Sequence, residues 1–297
     1  MIDLLGLEPW AGLAGANLEA ADVVVAGIPY DGSAVYRRGA AQAPAVLRRL
    51  SAALPPVTED GISLRGLRVH DLGDLDAGAA MEAGWKAVAD RLAAVPPASL
   101  LTVLGGDHCV AAAVLAAQAG RHPGLRVLWL DAHPDLCDFS RGGRWTCGCA
   151  LRRALEVAGL EPGALLFAGG RDYDPEEVDF IARHRLLMVS SRELSADPVA
   201  AAVRLAAEAG SSPLHVSFDI DVLDPAYAPG TEIPSAGGIS TRQALDLLAE
   251  LGRRCRLVGL DVTEVAPPFD HGDITSLAAL KILFEFWGLW KRSLGDR

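Results

Sequence analysis

The sequence has 297 residues, of which 51% are hydrophobic, so it can bury a large core as one sizeable domain or two ordinary ones. Its 27 basic and 38 acidic residues give a formal charge of −11, which argues against partners such as nucleic acid or an anionic membrane. No apolar run reaches about 18 residues, and the opening MIDLLGLEPW lacks the pattern of a secretion signal, so we expect a cytoplasmic protein without a membrane span.

Eight short apolar segments recur along the chain, separated by longer segments rich in Ala and Leu. We predict strands at 22–27, 67–71, 99–106, 125–133, 164–170, 185–191, 213–221 and 255–264. Apolar residues at helical spacing predict helices at 80–94, 109–120, 147–158, 175–184, 196–209, 240–251 and 274–290. Continuous apolar strands that alternate with helices indicate a parallel sheet covered on both faces, in a single domain over 1–297. A barrel of eight strands and helices is the competing arrangement, because strand number alone does not exclude it.

Histidines and carboxylates cluster at the ends of four predicted strands. The segments are GGDHC at 105–109, DAHPD at 131–135, SFDID at 217–221 and DVTE at 261–264. Asp131, His133 and Asp135 alternate along a segment that we predict to be extended, so their side chains should project to one side. Asp219 and Asp221 repeat this spacing. A single Asp at such a place is usually a cap or an ion-pair partner, but the set together predicts a metal site.

The charge of this cluster indicates which metal it binds. Carboxylates packed within a few ångströms repel each other, so we expect a pair of divalent cations to compensate them. Two imidazoles among four carboxylates suit Mn²⁺ better than a thiol-bound Zn²⁺ site.

These segments, together with GIPYDGSAVYRRGAAQAPAVLRRLS near the N-terminus, resemble the signature segments of the arginase/agmatinase ureohydrolase family. The resemblance spans nearly the whole chain. It implies a three-layer α/β/α sandwich around a parallel eight-stranded sheet, and a homo-oligomer, since the family often forms trimers or hexamers. It also implies two Mn²⁺ ions per chain, bridged by Asp131 and Asp219. The implied ligands are His108, Asp131, His133, Asp135, Asp219 and Asp221.

The family resemblance also implies a reaction, in which a hydroxide shared by the two metals attacks a guanidinium carbon to give urea and an amine. Asp135 would relay a proton, and Glu264 matches the carboxylate that orients the guanidinium. Asp174 in RDYDPEE matches an acidic residue that holds the substrate's amino group. The expected substrate is a small guanidino compound, agmatine-like or arginine-like, and the agmatine-like substrate is slightly favoured.

The chain departs from the family pattern at three positions. Cys147 stands where the family usually has a His that shuttles a proton to the leaving amine. Three interpretations follow: Cys147 is a poorer proton shuttle, another group or solvent supplies the proton, or the natural substrate depends less on this step. Glu232 in GTEIP replaces a Gly and could present a carboxylate to a cationic substrate tail, or be a solvated loop charge. Cys137 stands where arginases typically carry an Asn that contacts the substrate carboxylate.

Two alternatives follow from these departures. The first is a hydrolase of formiminoglutamate or another amidino compound, in which Arg141 or Arg144 receives a substrate carboxylate. The second is a metal-binding family member with little activity, because Cys147 replaces the shuttle His.

Overall fold

A computed structural model describes residues 7–295 of the chain. Residues 1–6 and 296–297, which belong to the predicted domain and include the opening residues searched for a secretion signal, lie outside the described part. Strands and helices alternate along the described chain, as the apolar pattern predicts.

All eight predicted strands are present and form one sheet. They are β1 (Val23–Gly27), β2 (Val69–Asp74), β3 (Leu100–Leu104), β4 (Arg126–Leu130), β5 (Leu165–Ala168), β6 (Leu187–Val189), β7 (Pro213–Asp219) and β8 (Arg256–Thr263). Every neighbouring pair is parallel, in the order β2-β1-β3-β8-β7-β4-β5-β6. Because β2 and β6 are free edges of an open sheet, the barrel alternative is wrong.

The helices include all seven predicted segments and two more. They are α1 (Ala43–Ser51), α2 (Met81–Ala93), α3 (Ala111–Arg121), α4 (Ala150–Ala158), α5 (Pro175–His184), α6 (Ser191–Ala196), α7 (Pro198–Ala209), α8 (Thr241–Arg254) and α9 (Ile274–Gly295). Helices α1 and α6 were not predicted. The predicted helix over 196–209 begins only at Pro198, because Asp197 caps α7 by accepting a hydrogen bond from the amide of Ala200. None of the helices in residues 7–295 combines the length and apolarity needed to cross a membrane.

The helices cover both faces of the sheet, so the three-layer α/β/α prediction is confirmed. Helices α1, α7, α8 and α9 pack on one face, and α2, α3, α4 and α5 pack on the other. Side chains of β1 alternate between the layers, with Val23 and Val25 on the first face and Val24 and Ala26 on the second. Parallel strands place their carboxyl ends at one edge of the sheet, and the four central strands β3, β8, β7 and β4 are those that precede the polar clusters.

Candidate metal centre

The six predicted metal ligands converge at the carboxyl ends of β3, β7 and β4. His108 lies in a 3₁₀ turn after β3, whereas Asp219 ends β7 and Asp221 lies in the turn that follows it. Asp131, His133 and Asp135 follow β4. Gly106 allows the segment before His108 to approach the chain after β1, because a Cβ at this glycine would lie 1.7 Å from the carbonyl oxygen of Tyr30.

The first group of potential ligands surrounds His108. Its Nδ1 lies 3.0 Å from Oδ2 of Asp131, 3.0 Å from Oδ2 of Asp219 and 3.9 Å from Oδ2 of Asp135. All four side chains are buried. Nitrogen and oxygen ligand atoms therefore face one another away from bulk solvent.

The second group shares Asp131 with the first. Nδ1 of His133 lies 3.0 Å from Oδ2 of Asp221 and 3.5 Å from Oδ1 of Asp131. In each group of three, His108 with Asp131 and Asp219 or His133 with Asp131 and Asp221, the candidate ligand atoms lie within 4.8 Å of one another. Asp131 thus offers one carboxylate oxygen to each group, as a bridging ligand would.

The backbone that carries Asp131, His133 and Asp135 is not the extended segment that we predicted. Strand β4 ends at Leu130, and Asp135 has a φ of 55°, in the left-handed region. The amide of His133 donates to Oδ1 of Asp131 at 2.6 Å, and the amide of Arg152 donates to the carbonyl of Asp135 at 3.0 Å. The predicted convergence of these side chains is therefore produced by a hydrogen-bonded loop rather than by strand alternation.

The electrostatics of the two groups fit a pair of cations. Burial raises the pKa of Asp135 and of Asp219 well above the ordinary value, and the neighbouring carboxylates of Asp131 and Asp221 raise both further. Burial alone would lower the pKa of His133, but Asp221 and Asp131 raise it to about 12. Burial opposes ionisation of Asp131, yet hydrogen bonds with the two histidines hold its pKa low. Four carboxylates outnumber two imidazoles, so this donor set fits divalent cations, which would supply the missing positive charge.

A buried polar network behind His108 was not predicted. Nε2 of His108 lies 2.9 Å from Oγ of Ser217, which donates to Oδ1 of Asp261 at 2.7 Å. Oδ2 of Asp261 lies 2.6 Å from Nε2 of His215, and Nδ1 of His215 lies 2.9 Å from Nε2 of Gln118. The sequence contains a pattern that could have predicted this network. Polar residues occupy alternate positions of the otherwise apolar run HVSFD at 215–219, so they share one face of β7.

A pocket of about 240 Å³ opens onto both groups. Its lining includes the predicted substrate contacts Glu264, Asp174 and Glu232, and also Cys147. Glu264 has a φ of 62°, and its Oε1 accepts a hydrogen bond from the amide of His108 at 2.7 Å. Within the described chain its Oε2 is buried without a partner. Burial and the nearby carboxylate of Glu232 raise the pKa of Glu264 well above the ordinary value.

The other predicted residues lie beside this pocket in different ways. Burial, together with the carboxylates of the pocket, raises the pKa of Cys147 far above the ordinary value of a thiol. Cys137 is buried with its Sγ 3.6 Å from Oδ2 of Asp174. Arg141 lines the pocket, whereas Arg144 is held by Asp138 at 2.7 Å.

Comparisons with known proteins agree with this geometry. The arginase family model matches residues 21–288. Proclavaminate amidinohydrolase from Streptomyces clavuligerus is 36% identical over 275 residues, covering 88% of this chain and 85% of the relative. Guanidinopropionase from Pseudomonas aeruginosa is 36% identical over 280 residues, covering 90% and 86%. The crystal structure of agmatine ureohydrolase from Thermoplasma volcanium has a TM-score of 0.87 and 26% identity, covering 98% of this chain and 97% of that one.

The sequence and the fold are thus those of hydrolases that act on guanidino carbon–nitrogen bonds. The chain belongs to the arginase family.

Proposed function

We propose that this protein is a binuclear-metal amidinohydrolase that converts a small guanidino compound to urea and an amine. The observation that carries the proposal is the sharing of Asp131 between two groups of His and Asp ligands beside the pocket, one buried and one with a half-buried His133. The free Oε2 of Glu264 faces the same pocket and suits the N–H donors of a guanidinium.

We assign a role to each side chain on this basis. His108, Asp131, Asp135 and Asp219 would hold one Mn²⁺, and Asp131, His133, Asp219 and Asp221 would hold the other. When bound, the ion pair supplies a water activated for attack at neutral pH. Glu264, fixed through Oε1 by the amide of His108, orients the guanidinium with Oε2. Asp135, at the pocket wall, accepts and passes on a proton.

A guanidino acid is a second candidate substrate beside an agmatine-like one. Arg141 lines the pocket, and within residues 7–295 its guanidinium has no carboxylate at ion-pair distance, so it is free to receive a substrate carboxylate. The two relatives at 36% identity carry names that refer to carboxylate-bearing substrates, proclavaminate and guanidinopropionate. Asp174, exposed on the pocket rim, favours instead a substrate with a cationic tail.

The function is tested with protein that has been stripped of metal and reloaded with Mn²⁺. Urea release is assayed with agmatine, arginine, 3-guanidinopropionate and 4-guanidinobutyrate, and formamide release with formiminoglutamate, while bound metal is counted per chain. We expect two ions and urea from at least one guanidino compound. Fewer than one ion per chain contradicts the binuclear site, formamide without urea identifies the amidine alternative, and bound metal without any product supports a family member of little activity.

The choice of substrate is tested at Arg141. Arg141→Gln should raise KM for the guanidino acids about tenfold or more, as expected for the loss of a charge-assisted contact, and leave KM for agmatine unchanged. Arg144→Gln is the matched control, because Arg144 already pairs with Asp138. The same change in KM for both substrate classes in Arg141→Gln, relative to the unmodified protein, would exclude a carboxylate contact at this residue.

A further inference from the structure

Two buried carboxylate oxygens at the pocket, Oε2 of Glu264 and Oε2 of Glu232, accept no hydrogen bond from an amide, hydroxyl or cationic group of the described chain, and the two carboxyl groups lie close enough to share a proton. The two residues are only 5% and 2% exposed, so water does not satisfy these oxygens from bulk solvent. A buried acceptor without a hydrogen bond costs free energy, which is recovered when a ligand donates to it. Glu264 has an assigned use in the proposed function, whereas Glu232 has none.

The side chain of Glu232 is held in place and is not a solvated loop charge. Its Oε1 accepts hydrogen bonds from the amides of Val35 at 2.5 Å and Tyr36 at 3.1 Å. The same loop is fixed by Ser33, whose hydroxyl donates to buried Asp107 at 2.6 Å. Arg37 donates to the backbone carbonyl of Glu232 at 3.0 Å. The free Oε2 therefore has a defined position at the pocket wall.

Cys147 lies at the same wall as Glu232. Both residues line the pocket, and the amide of Cys147 donates to the carbonyl of Ser33, in the loop that holds Glu232, at 3.3 Å. Burial, with the charges of Glu264 and Glu232, raises the pKa of the Cys147 thiol far above neutrality. A thiol in this environment keeps its proton and is a poor donor to an amine at neutral pH.

We infer that Glu232 is the proton donor to the leaving amine, in place of the thiol of Cys147. The inference rests on the proposed function and deepens it. As the carbon–nitrogen bond breaks, its electron pair goes to the departing nitrogen, which takes the proton of the Glu232 carboxyl group. The carbon keeps the oxygen of the attacking water and leaves as urea. The attacking water loses both of its protons as its oxygen becomes the oxygen of urea. One of them returns to Glu232 and the other passes by way of Asp135 to the departing amine, so the protein returns to its starting state.

The charges around Glu232 are compatible with a proton donor. Glu264, Asp107, Asp31 and the Cys147 thiol face it, and Arg37 is the cation beside it. Burial raises the pKa of Glu232 above the ordinary value. Without a ligand the hydrogen bond with Glu264 lowers the pKa of Glu232, so the proton shared by the two carboxyl groups lies on Glu264. A bound guanidinium brings one positive charge beside Glu264, which favours the ionised form of Glu264 and moves the shared proton to Glu232.

The test is Glu232→Gln, whose amide oxygen still accepts from Val35 and Tyr36 while the acidic proton is lost. We expect kcat to fall roughly 10²- to 10⁴-fold, the usual contribution of a positioned acid, with a much smaller change in KM. Guanidines whose leaving amine is weakly basic, such as an N-aryl guanidine, should lose far less, because their departure needs less protonation. Adding Cys147→His to Glu232→Gln should restore part of kcat. Bound Mn²⁺ per chain and Tm should match those of the unmodified protein.

The control is Glu250→Gln, which removes a buried acid on α8 that pairs with Arg253 and Arg254, outside the pocket. Glu232→Gln with an unchanged kcat and a raised KM would make Glu232 a binding residue and overturn the inference. An equal loss for all leaving amines, without rescue by Cys147→His, would make its role structural and also overturn it. If the unmodified protein releases urea from no guanidino compound, the proposed function itself fails, which is a different result.

Discussion

Asp131 differs from the other candidate ligands because each of its oxygens faces a different histidine. Oδ2 lies 3.0 Å from Nδ1 of His108 and also accepts from Nε1 of Trp129 at 2.9 Å, whereas Oδ1 lies 3.5 Å from Nδ1 of His133. Asp221 contacts only the second of these histidines within the described residues, at 3.0 Å. The two aspartates should therefore make different contributions to metal binding.

We expect Asp131→Asn to reduce bound Mn²⁺ from two ions per chain towards none, and Asp221→Asn to leave one ion in place. The reason is that a neutral amide at the shared position weakens both sites, while a change at Asp221 affects a single site. Metal analysis after dialysis against Mn²⁺ measures this difference. Asp246→Asn, on the exposed side of α8, is the control that should keep both ions. Equal losses in Asp131→Asn and Asp221→Asn would contradict a bridging role for Asp131.

At the scale of the elements, the register of β7 and β8 places Ser217 directly beside Asp261. The hydroxyl of Ser217 donates to Asp261, so it accepts from Nε2 of His108, and this polarity leaves Nδ1 of His108 free to bind a cation. The ring of His108 also stacks on Trp129 with centroids 3.7 Å apart. Neighbouring strands thus fix both the tautomer and the orientation of a candidate ligand.

Ser217→Ala should weaken Mn²⁺ binding roughly 10- to 100-fold, the usual effect of losing a hydrogen bond that orients a metal ligand. Competition with a metal chelator measures the affinity. Ser99→Ala is a matched control, since Ser99 is a buried serine that donates to the carbonyl of Ala21, in a different part of the sheet. The network has no role in metal binding if both variants hold Mn²⁺ as tightly as the unmodified protein.

The elements also show which features the sequence can predict. The strands and the clustering of the candidate ligands were predictable, because apolar runs followed by His and Asp are local patterns, as at Asp131 and Asp219. The left-handed backbone of Asp135 was not, since a hydrogen bond from Arg152 in α4 stabilises it. The anchoring of Glu232 was not predictable either, because its partner Val35 lies 197 residues away and no local pattern encodes such a contact.

For the whole molecule, buried acids determine how stability changes with pH when metal is absent. Burial raises the pKa of Asp107 to about 7 from 3.8, and that of Glu177 to about 7 from 4.5. Burial also raises the pKa of Asp135 and the pKa of Asp219. At these four acids the folded state binds more protons than the unfolded state between about pH 4 and pH 7. Burial lowers the pKa of His122 to about 4, which opposes them at a single group, so the free energy of unfolding should fall as the pH rises through this range.

Metal-free protein should accordingly have a lower Tm at pH 7.5 than at pH 5.5, and Mn²⁺ should raise Tm more at pH 7.5. Cations replace protons on Asp135 and Asp219, so their binding strengthens as these carboxyl groups ionise. Mn²⁺ at 100-fold above its Kd contributes about 2.7 kcal/mol per ion, which raises Tm by roughly 4 °C per ion in a chain of this size. Thermal melts with EDTA or Mn²⁺ at both pH values measure this, and Asp131→Asn should show little gain from Mn²⁺. The same Mn²⁺ gain at both pH values would mean that these carboxyl groups do not hold the ions.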